Sequence, residues 1–156
     1  MVNNLKNYTS SVPATSSMGQ IEQALVKAGA TDISKNYQDG ICVGIRFRIL
    51  HKTPENSVGV PLFFELPARV EQCFKVLWAE VKRPQPDTKA RVREQAQRTA
   101  WKIINDWVQV QLSMIMLEQA ELLQIFLPYV YNPATDKTYF DELKERGFRA
   151  LLPESK

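Results

Sequence analysis

Between Asp87 and Phe126 the chain reads DTKARVREQAQRTAWKIINDWVQVQLSMIMLEQAELLQIF, a stretch without proline or glycine. Good helix formers fill it, and apolar residues recur every three to four positions, which is typical of an amphipathic helix. A continuous helix of this length would extend for roughly 60 Å at about 1.5 Å per residue. The stretch therefore predicts a helix long enough to organise the rest of the molecule.

The apolar stripe of this helix turns by about 140° between its two halves, if each residue advances the helix by about 100°. Its members are Val92, Ala96, Ala100, Ile103 and Trp107 in the first half, and Val108, Leu112, Ile115, Gln119, Leu122 and Phe126 in the second. One interpretation is a continuous or kinked helix whose middle is buried all round, with Trp107 shielded from solvent. The other is a helical hairpin broken near residues 109–113. Because no helix breaker is present, the first is favoured.

The remaining segments predict a sheet and further helices. These elements are a helix from the capping-box sequence Ser17–Gln20 to Gly29, strands Thr31–Tyr37, Ile41–Leu50 and Val58–Leu66, an edge strand Asn7–Val12, a helix opened by Pro67, and a last helix Tyr139–Arg146 before Gly147. Alternation predicts that Ile41, Val43, Ile45, Phe47 and Ile49 share the core face. The fold class is α+β, with a three- or four-stranded antiparallel sheet packed against helices and one long buried C-terminal helix.

Length and composition indicate one domain with four parts. The chain has 156 residues, of which 44% are apolar and 24% charged, and a formal net charge of +3 that names no partner. The parts are a polar segment 1–16, a helix–sheet–helix unit 17–83, the long helix 84–126, and a loop with a short helix 127–156. The chain carries neither a signal sequence nor an apolar run near 18 residues, so we expect no membrane partner and a cytoplasmic protein. Cys42 and Cys73 are expected to be free, buried thiols.

Basic residues cluster between positions 82 and 102, which holds seven basic residues and two acidic ones. The predicted nucleic-acid contacts are Lys82, Arg83, Lys89 and Arg93, together with Arg46 and Arg48 on the middle strand. The alternative is a solvated, salt-bridged face, because Asp87–Arg91 and Glu94–Arg98 have the favourable i,i+4 order.

Aromatic residues suggest a different surface. Trp101, Phe126, Tyr129 and Tyr131 are predicted to contact a protein partner or a second copy, with core packing as the alternative. Trp78 and Trp107 are expected in the core, and Trp101 is expected to be partly exposed.

The sequence contains few of the residues and motifs that are typical of an active site. His51 is the single histidine, and no nucleophile elbow or phosphate-binding loop occurs. Asp39, Glu65, Glu80 and Lys82 supply the residue types of a metal-dependent nuclease, but not its spacing. We therefore expect no enzymatic activity, no cofactor and no metal, and rank a nuclease third.

Several short segments carry a resemblance: Asn7-Tyr-Thr9, Gly29-Ala-Thr31, Phe64–Ala68, Thr99–Trp107 and Phe126–Tyr129. In these the chain resembles a loose family of small uncharacterised proteins from bacteriophages and mobile elements. The resemblance implies a phage- or plasmid-encoded accessory protein in a bacterial cytoplasm, and it implies no site residues. Two functions are thus predicted: protein binding, as a host-system inhibitor or assembly subunit, and nucleic-acid binding through residues 82–102.

Overall fold

The computed structural model describes residues 4–155, which form helices on one face of an antiparallel sheet, followed by a short hairpin. The helices are α1 Ala14–Lys27, α2 Val70–Trp78, α3 Thr88–Met116, α4 Leu122–Phe126 and α5 Tyr139–Glu145, and the strands are β1 Ala30–Gln38, β2 Ile41–Thr53, β3 Asn56–Pro67, β4 Tyr131–Asn132 and β5 Lys137–Thr138. The predicted α+β class is confirmed. Within this described part, no helix is long and apolar enough to cross a membrane.

The sheet is a meander with β2 at its centre, and Phe47 of β2 lies opposite Ile33 of β1 and Phe64 of β3. Its inner face packs against α1, α2, α3 and α4 in one hydrophobic core. A single bridge between Phe64 and Val130 extends the sheet beyond β3. The bridge places the residue before β4 beside β3, whereas β4 and β5 form a separate two-stranded sheet.

A β-bulge changes the side-chain alternation at the start of β2. Asn36 lies opposite Gly44 and Tyr37 opposite Cys42, so Val43 is an extra residue on β2. Ile45, Phe47 and Ile49 are buried as predicted, but the bulge makes Cys42 the buried residue in place of Ile41 and Val43. The Val43 carbonyl instead accepts a hydrogen bond from the backbone N–H of Ala68 at 2.8 Å.

Both cysteines are free and buried, as predicted. Burial raises the pKa of the Cys42 thiol and of the Cys73 thiol above the ordinary value. Each therefore behaves as a small apolar core residue.

Two helix starts differ from their predictions. Pro67 is the last residue of β3, where it lies opposite Gly44, and α2 begins only at Val70. Helix α1 begins at Ala14, because the Pro13 carbonyl accepts the N–H groups of Ser16 and Ser17. Ser17 is therefore buried inside the helix and is not its N-cap.

Helix α3 ends ten residues before the predicted end, at Met116. Its backbone closes in a Schellman motif: Gln119 N–H bonds to the Met114 carbonyl and Glu118 N–H to the Ile115 carbonyl, both at 3.0 Å. Glu118 takes the left-handed conformation, with φ 57°, at the position that glycine usually occupies. The favoured interpretation of a helix that is continuous through residues 109–113 is confirmed, and the hairpin broken there is wrong. Only the predicted end at Phe126 is incorrect, because the chain turns after Met116.

The turn after α3 brings Phe126 into the core. Phe126 is fully buried, and its ring meets those of Phe47, Phe64 and Trp107 edge-on, at centroid distances of 5.8, 6.0 and 5.6 Å. This cluster attaches the chain that follows α3 to the inner face of the sheet.

The two tryptophans of α3 have exchanged their predicted roles. Trp101 is fully buried, and its indole N–H donates to the Cys42 carbonyl at 3.1 Å, whereas Trp107 is only half-buried. The buried side of α3 keeps Ala96, Ala100 and Val108 of the predicted stripe. It also includes the polar residues Thr99 and Asn105, so it is displaced from the apolar pattern.

Polar side chains of α3 hold the N-terminal segment. Thr99 Oγ1 donates to the Asn7 carbonyl at 2.9 Å, and Asn7 Nδ2 donates to Asp106 at 2.9 Å. Arg98 Nε donates to the Ser10 carbonyl at 3.2 Å. The predicted edge strand Asn7–Val12 is wrong, because its polar groups bind α3 and the segment forms turns.

The predicted solvated face of α3 is only partly correct. Asp87 and Arg91 form an exposed ion pair at 3.3 Å, as the i,i+4 spacing predicted. Arg98, however, bonds to Ser10 and to Gln95 rather than to Glu94. Part of this strip is therefore an internal contact surface for the N-terminal segment.

We expect Trp101→Phe to lower the free energy of unfolding by about 2–4 kcal/mol, because it removes buried volume and the donor to the Cys42 carbonyl. Denaturant unfolding, monitored by circular dichroism, measures this change in the free energy of unfolding. Trp78→Phe is the matched control, since Trp78 is half-buried and stacks on Phe74; its cost should be roughly 1 kcal/mol or less. Equal losses in the two variants would contradict a central role for Trp101.

The Asp106 contact should make stability depend on pH. Partial burial acts to raise the pKa of Asp106, but hydrogen bonds from Lys102 and Asn7 outweigh it, and the pKa lies below its ordinary value. Its carboxylate therefore adds stability that is fully present above the pKa of an unfolded aspartate, about 3.9, and is lost as pH falls through the lower folded value. The effect is small, because 47% of this side chain is exposed.

We expect Asp106→Asn to be less stable than the parent protein at neutral pH, with the difference shrinking as pH falls through the acidic range below about 4. Denaturant unfolding of both proteins across that range measures the difference. Amide hydrogen exchange at Asn7 and Ser10 should accelerate in the variant. A stability difference that stays constant with pH would show that the Asp106 charge does not hold the N-terminal segment.

Candidate binding groove

Arg46 clamps the C-terminal hairpin onto the outer face of the sheet. Its guanidinium lies 4.4 Å from the centre of the Tyr131 ring and forms ion pairs at 3.1 Å with Glu65 and with Asp136. The Tyr131 hydroxyl also donates to Asp136. A predicted nucleic-acid contact, Arg46, and a predicted protein contact, Tyr131, thus bind each other.

Two more of the predicted basic contacts have partners within the fold. Arg48 Nε lies 2.9 Å from an Asp32 carboxylate oxygen on β1. Arg93 lies over the Phe74 ring at 4.2 Å and pairs with Glu71 at 3.3 Å, which ties α3 to α2. Internal contacts therefore use much of the charge of Arg46, Arg48 and Arg93, and their role as nucleic-acid contacts stays a prediction.

Lys82, Arg83 and Lys89 remain as exposed cations around the start of α3. Within residues 4–155 none of the three forms an ion pair. Arg46 and Arg48 point away from the helices, on the outer face of the sheet, so the two predicted basic sets do not form one surface.

Three of the four predicted aromatic contacts are core residues. Trp101 and Phe126 are fully buried, and Tyr131 is 9% exposed. Their rings contact the sheet, so those predictions are wrong and the alternative of core packing is correct. Tyr129 is half-buried and remains available.

Tyr129 lines a hollow of about 860 Å³, which we call the aromatic groove. Its walls come from the end of β3, the middle of α3, the turn after α4, and the start of α5. The lining residues are Glu65, Leu66, Pro67, Arg69, Ile103, Ile104, Trp107, Pro128, Tyr129, Thr138, Phe140 and Asp141. A volume of this size is typical of sites that bind small molecules or peptide segments.

The wall of the groove continues the core. The Trp107 ring contacts the rings of Phe126 and Tyr129, each with centroids 5.6 Å apart and with interplanar angles of 88° and 66°. Phe140 of α5 is 47% exposed and packs against Phe148. Aromatic side chains from three segments thus reach one concave surface.

The charged residues of the groove differ in how far they are already paired. Glu65 accepts hydrogen bonds from Arg46 at 3.1 Å and from Asn36 at 3.3 Å. Asp141 accepts the backbone N–H of Thr138 at 3.2 Å in the capping box that starts α5. Arg69 is exposed and has no ion pair anywhere in the described chain.

Sequence reasoning found part of this groove. The aromatic-rich segment after Phe126 predicted Tyr129 as a contact. Trp107 was predicted to be a core residue. Nothing in the sequence marked Arg69 and Phe140 as binding residues, because only the fold brings α5 and the β3–α2 connection close to α3. Ile103 was predicted only as a member of the apolar stripe of the long helix.

Two other hollows are weaker candidates. One of about 560 Å³ lies between α1 and the C-terminal half of α3, but Gln20 and Gln109 on its wall already hydrogen-bond to Asn105. Another of about 710 Å³ is lined by the single segment Tyr139–Ala150, so one short helix and the turn after it shape it alone.

The nuclease residues do not assemble into a metal-binding cluster. Among residues 4–155, no three or more His, Cys, Asp or Glu side chains lie close enough together to hold a metal ion. Asp39 lies in the β1–β2 turn, Glu80 lies after α2, and Glu65 is bound to Arg46.

Comparison with known proteins adds no relative. The chain matches no protein-family model, no curated protein and no solved structure. The function must therefore be argued from the groove and its surroundings.

Proposed function

We propose that this protein is non-enzymatic and acts by binding another protein through the aromatic groove. The observation that carries the proposal is that Trp107, Tyr129 and Phe140 come from three separate segments and line one hollow. Arg69 lies beside them and forms no ion pair with any residue between 4 and 155. Aromatic residues and arginine are the usual anchors of protein interfaces.

The groove aromatics are incompletely covered by their own chain. Trp107 and Tyr129 pack on the buried ring of Phe126 yet keep part of their surface in solvent, and Phe140 is nearly half exposed. A partner that covers them would remove this apolar surface from water, which favours association. The rigid core beneath them lowers the ordering cost of binding.

The biological setting follows from the resemblance to small phage and mobile-element proteins. We propose an accessory role in a bacterial cytoplasm, either inhibiting a host system or serving as a subunit of an assembly. Both roles require a stable protein contact and no chemistry by the chain itself.

We expect Phe140→Ser and Tyr129→Ser to weaken binding of the protein partner by at least about tenfold while the fold is retained. The tagged protein is purified from its native host after nuclease treatment, co-purified proteins are identified, and their recovery is compared between variants. Val110→Ser is the matched control, because Val110 is 56% exposed on α3 outside the groove.

Recovery of the same partner by the two groove variants and by the control variant would overturn the assignment of the groove. Circular dichroism and thermal unfolding of each variant establish that any lost recovery reflects the surface and not the fold.

A second candidate function is nucleic-acid binding through Lys82, Arg83 and Lys89. The observation that favours it is that these three exposed cations have no ion pair within the described residues, unlike Arg46, Arg48 and Arg93. Unpaired cations on one short stretch suit contact with phosphates.

If this candidate is correct, about three phosphate contacts should make affinity fall roughly 40-fold for double-stranded DNA, and roughly 20-fold for a single strand, between 50 and 200 mM salt. The double variant Lys82→Glu with Lys89→Glu should abolish binding and leave stability unchanged. Arg93 is unsuitable for this test, because it also ties α3 to α2. Absent or salt-independent binding by the parent protein would remove the candidate.

A further inference from the structure

Three side chains in the aromatic groove carry hydrogen-bond donors that have no partner. These are the guanidinium of Arg69, the indole N–H of Trp107 and the hydroxyl of Tyr129, none of which donates to a group within residues 4–155. In the same part of the chain, Ser17 Oγ is the only buried side-chain N or O atom without a partner. The Trp107 and Tyr129 polar atoms therefore reach solvent and can meet a ligand.

Four side-chain acceptor atoms of the groove, by contrast, already accept hydrogen bonds: both Glu65 oxygens, Thr138 Oγ1 and Asp141 Oδ2. Both oxygens of Glu65 accept hydrogen bonds, one from Asn36 and one from Arg46. Thr138 Oγ1 accepts from the Asp141 backbone at 3.3 Å, and Asp141 accepts from the Thr138 backbone at 3.2 Å. Unused donors and occupied acceptors together favour a ligand that brings acceptor atoms.

We infer that the aromatic groove selects a peptide segment of the partner protein that presents an Asp or Glu carboxylate beside an apolar side chain; this inference rests on the proposed function. Arginine binds a carboxylate through two parallel N–H donors, which is among the strongest neutral-pH contacts available to it. Arg69 is free to make that contact, and the indole and phenol donors can supply others.

The apolar part of the ligand follows from the remaining walls. Ile103 and Ile104 of α3 and Pro67 and Pro128 line the groove together with Phe140. Such a surface gains by covering an apolar side chain, and the volume of about 860 Å³ accommodates more than an isolated carboxylate.

A cationic ligand is the competing chemistry, because aromatic faces and the carboxylates of Glu65 and Asp141 also attract cations. Such a ligand would have to displace or share Glu65 with Arg46, which lies 3.1 Å away, and it would enter beside the positive charge of Arg69. Asp141 forms no ion pair within residues 4–155, but one of its oxygens already caps α5. The pairing of Glu65 and the charge of Arg69 therefore disfavour a cationic ligand.

The test is selection from a displayed library of random twelve-residue peptides against the parent protein, Arg69→Gln and Arg69→Glu. The parent should enrich peptides with Asp or Glu next to an apolar residue. Arg69→Gln should lose the preference for the acidic residue, and Arg69→Glu should reverse it in favour of Lys or Arg. Lys75→Gln is the matched control, because Lys75 is exposed on α2, lies outside the groove and changes the net charge equally.

The best peptide is then synthesised with its acidic residue and with the matching amide. We expect the amide peptide to bind the parent about tenfold or more weakly, and Arg69→Gln to bind both peptides with the same weak affinity. Isothermal titration calorimetry or tryptophan fluorescence measures these affinities. Lys75→Gln should still discriminate between the two peptides.

The outcomes separate this inference from the proposed function. Enrichment of Lys- or Arg-containing peptides, or of peptides with no charge preference, that is lost in Phe140→Ser would overturn the carboxylate inference and leave the groove as a binding site. Enrichment that is unaffected by Phe140→Ser, or no enrichment at all, would overturn both.

Discussion

The fully buried ring of Phe126 meets the rings of Phe47, Phe64 and Trp107 edge-on, and the arrangement of the C-terminal third depends on this contact. It attaches α4 to the sheet and to α3 together. Edge-to-face aromatic contacts and the burial of a whole phenylalanine ring are worth several kcal/mol between them, on the order of 3–5 kcal/mol. Because Phe126 is fixed in the core, Tyr129 is held against Trp107. These two rings form a wall of the aromatic groove.

Charge in this molecule is used largely to connect segments. Arg46 joins the sheet to the C-terminal hairpin, Arg93 joins α3 to α2, and Arg98 joins α3 to the N-terminal segment. Each of these contacts links residues far apart in the sequence. Several basic residues that cluster in the sequence therefore form intramolecular contacts between segments, and only a few exposed cations remain at the start of α3.

The aromatic groove, unlike these intramolecular contacts, leaves hydrogen-bond donors and aromatic surface without a partner in the described part of the chain. Glu65 and Thr138 already accept hydrogen bonds, whereas Arg69, Trp107 and Tyr129 donate to no group within residues 4–155, and the aromatic rings of the groove are only partly covered. Such an arrangement costs little in an isolated protein, because water satisfies the exposed donors. It is nevertheless suited to a partner that supplies an acceptor and an apolar side chain, and this links the proposed function to the chemistry of the groove.

Local sequence patterns were sufficient to predict the α+β class, the antiparallel order of the three strands, the existence of the long helix, and the last helix with its glycine stop at Gly147. Periodicity and turn residues carry this information locally. The sequence also pointed to Tyr129 through the aromatic-rich segment after Phe126. The bulge at Val43 and the end of α3 at Glu118 could not be foreseen, since neither position carries a residue that signals the change.

Which tryptophan is buried, and which residues line the groove together, depends on the packing of segments that are distant in the chain. The buried side of α3 includes Thr99 and Asn105, whose polar groups are satisfied by Asn7 and by Gln20, so apolar periodicity alone misplaced the stripe. Arg69, Trp107 and Phe140 are distant in the chain and meet only after the turn at Glu118 returns α4 to the sheet. Contacts between distant segments depend on the packed fold, and local sequence patterns do not encode them.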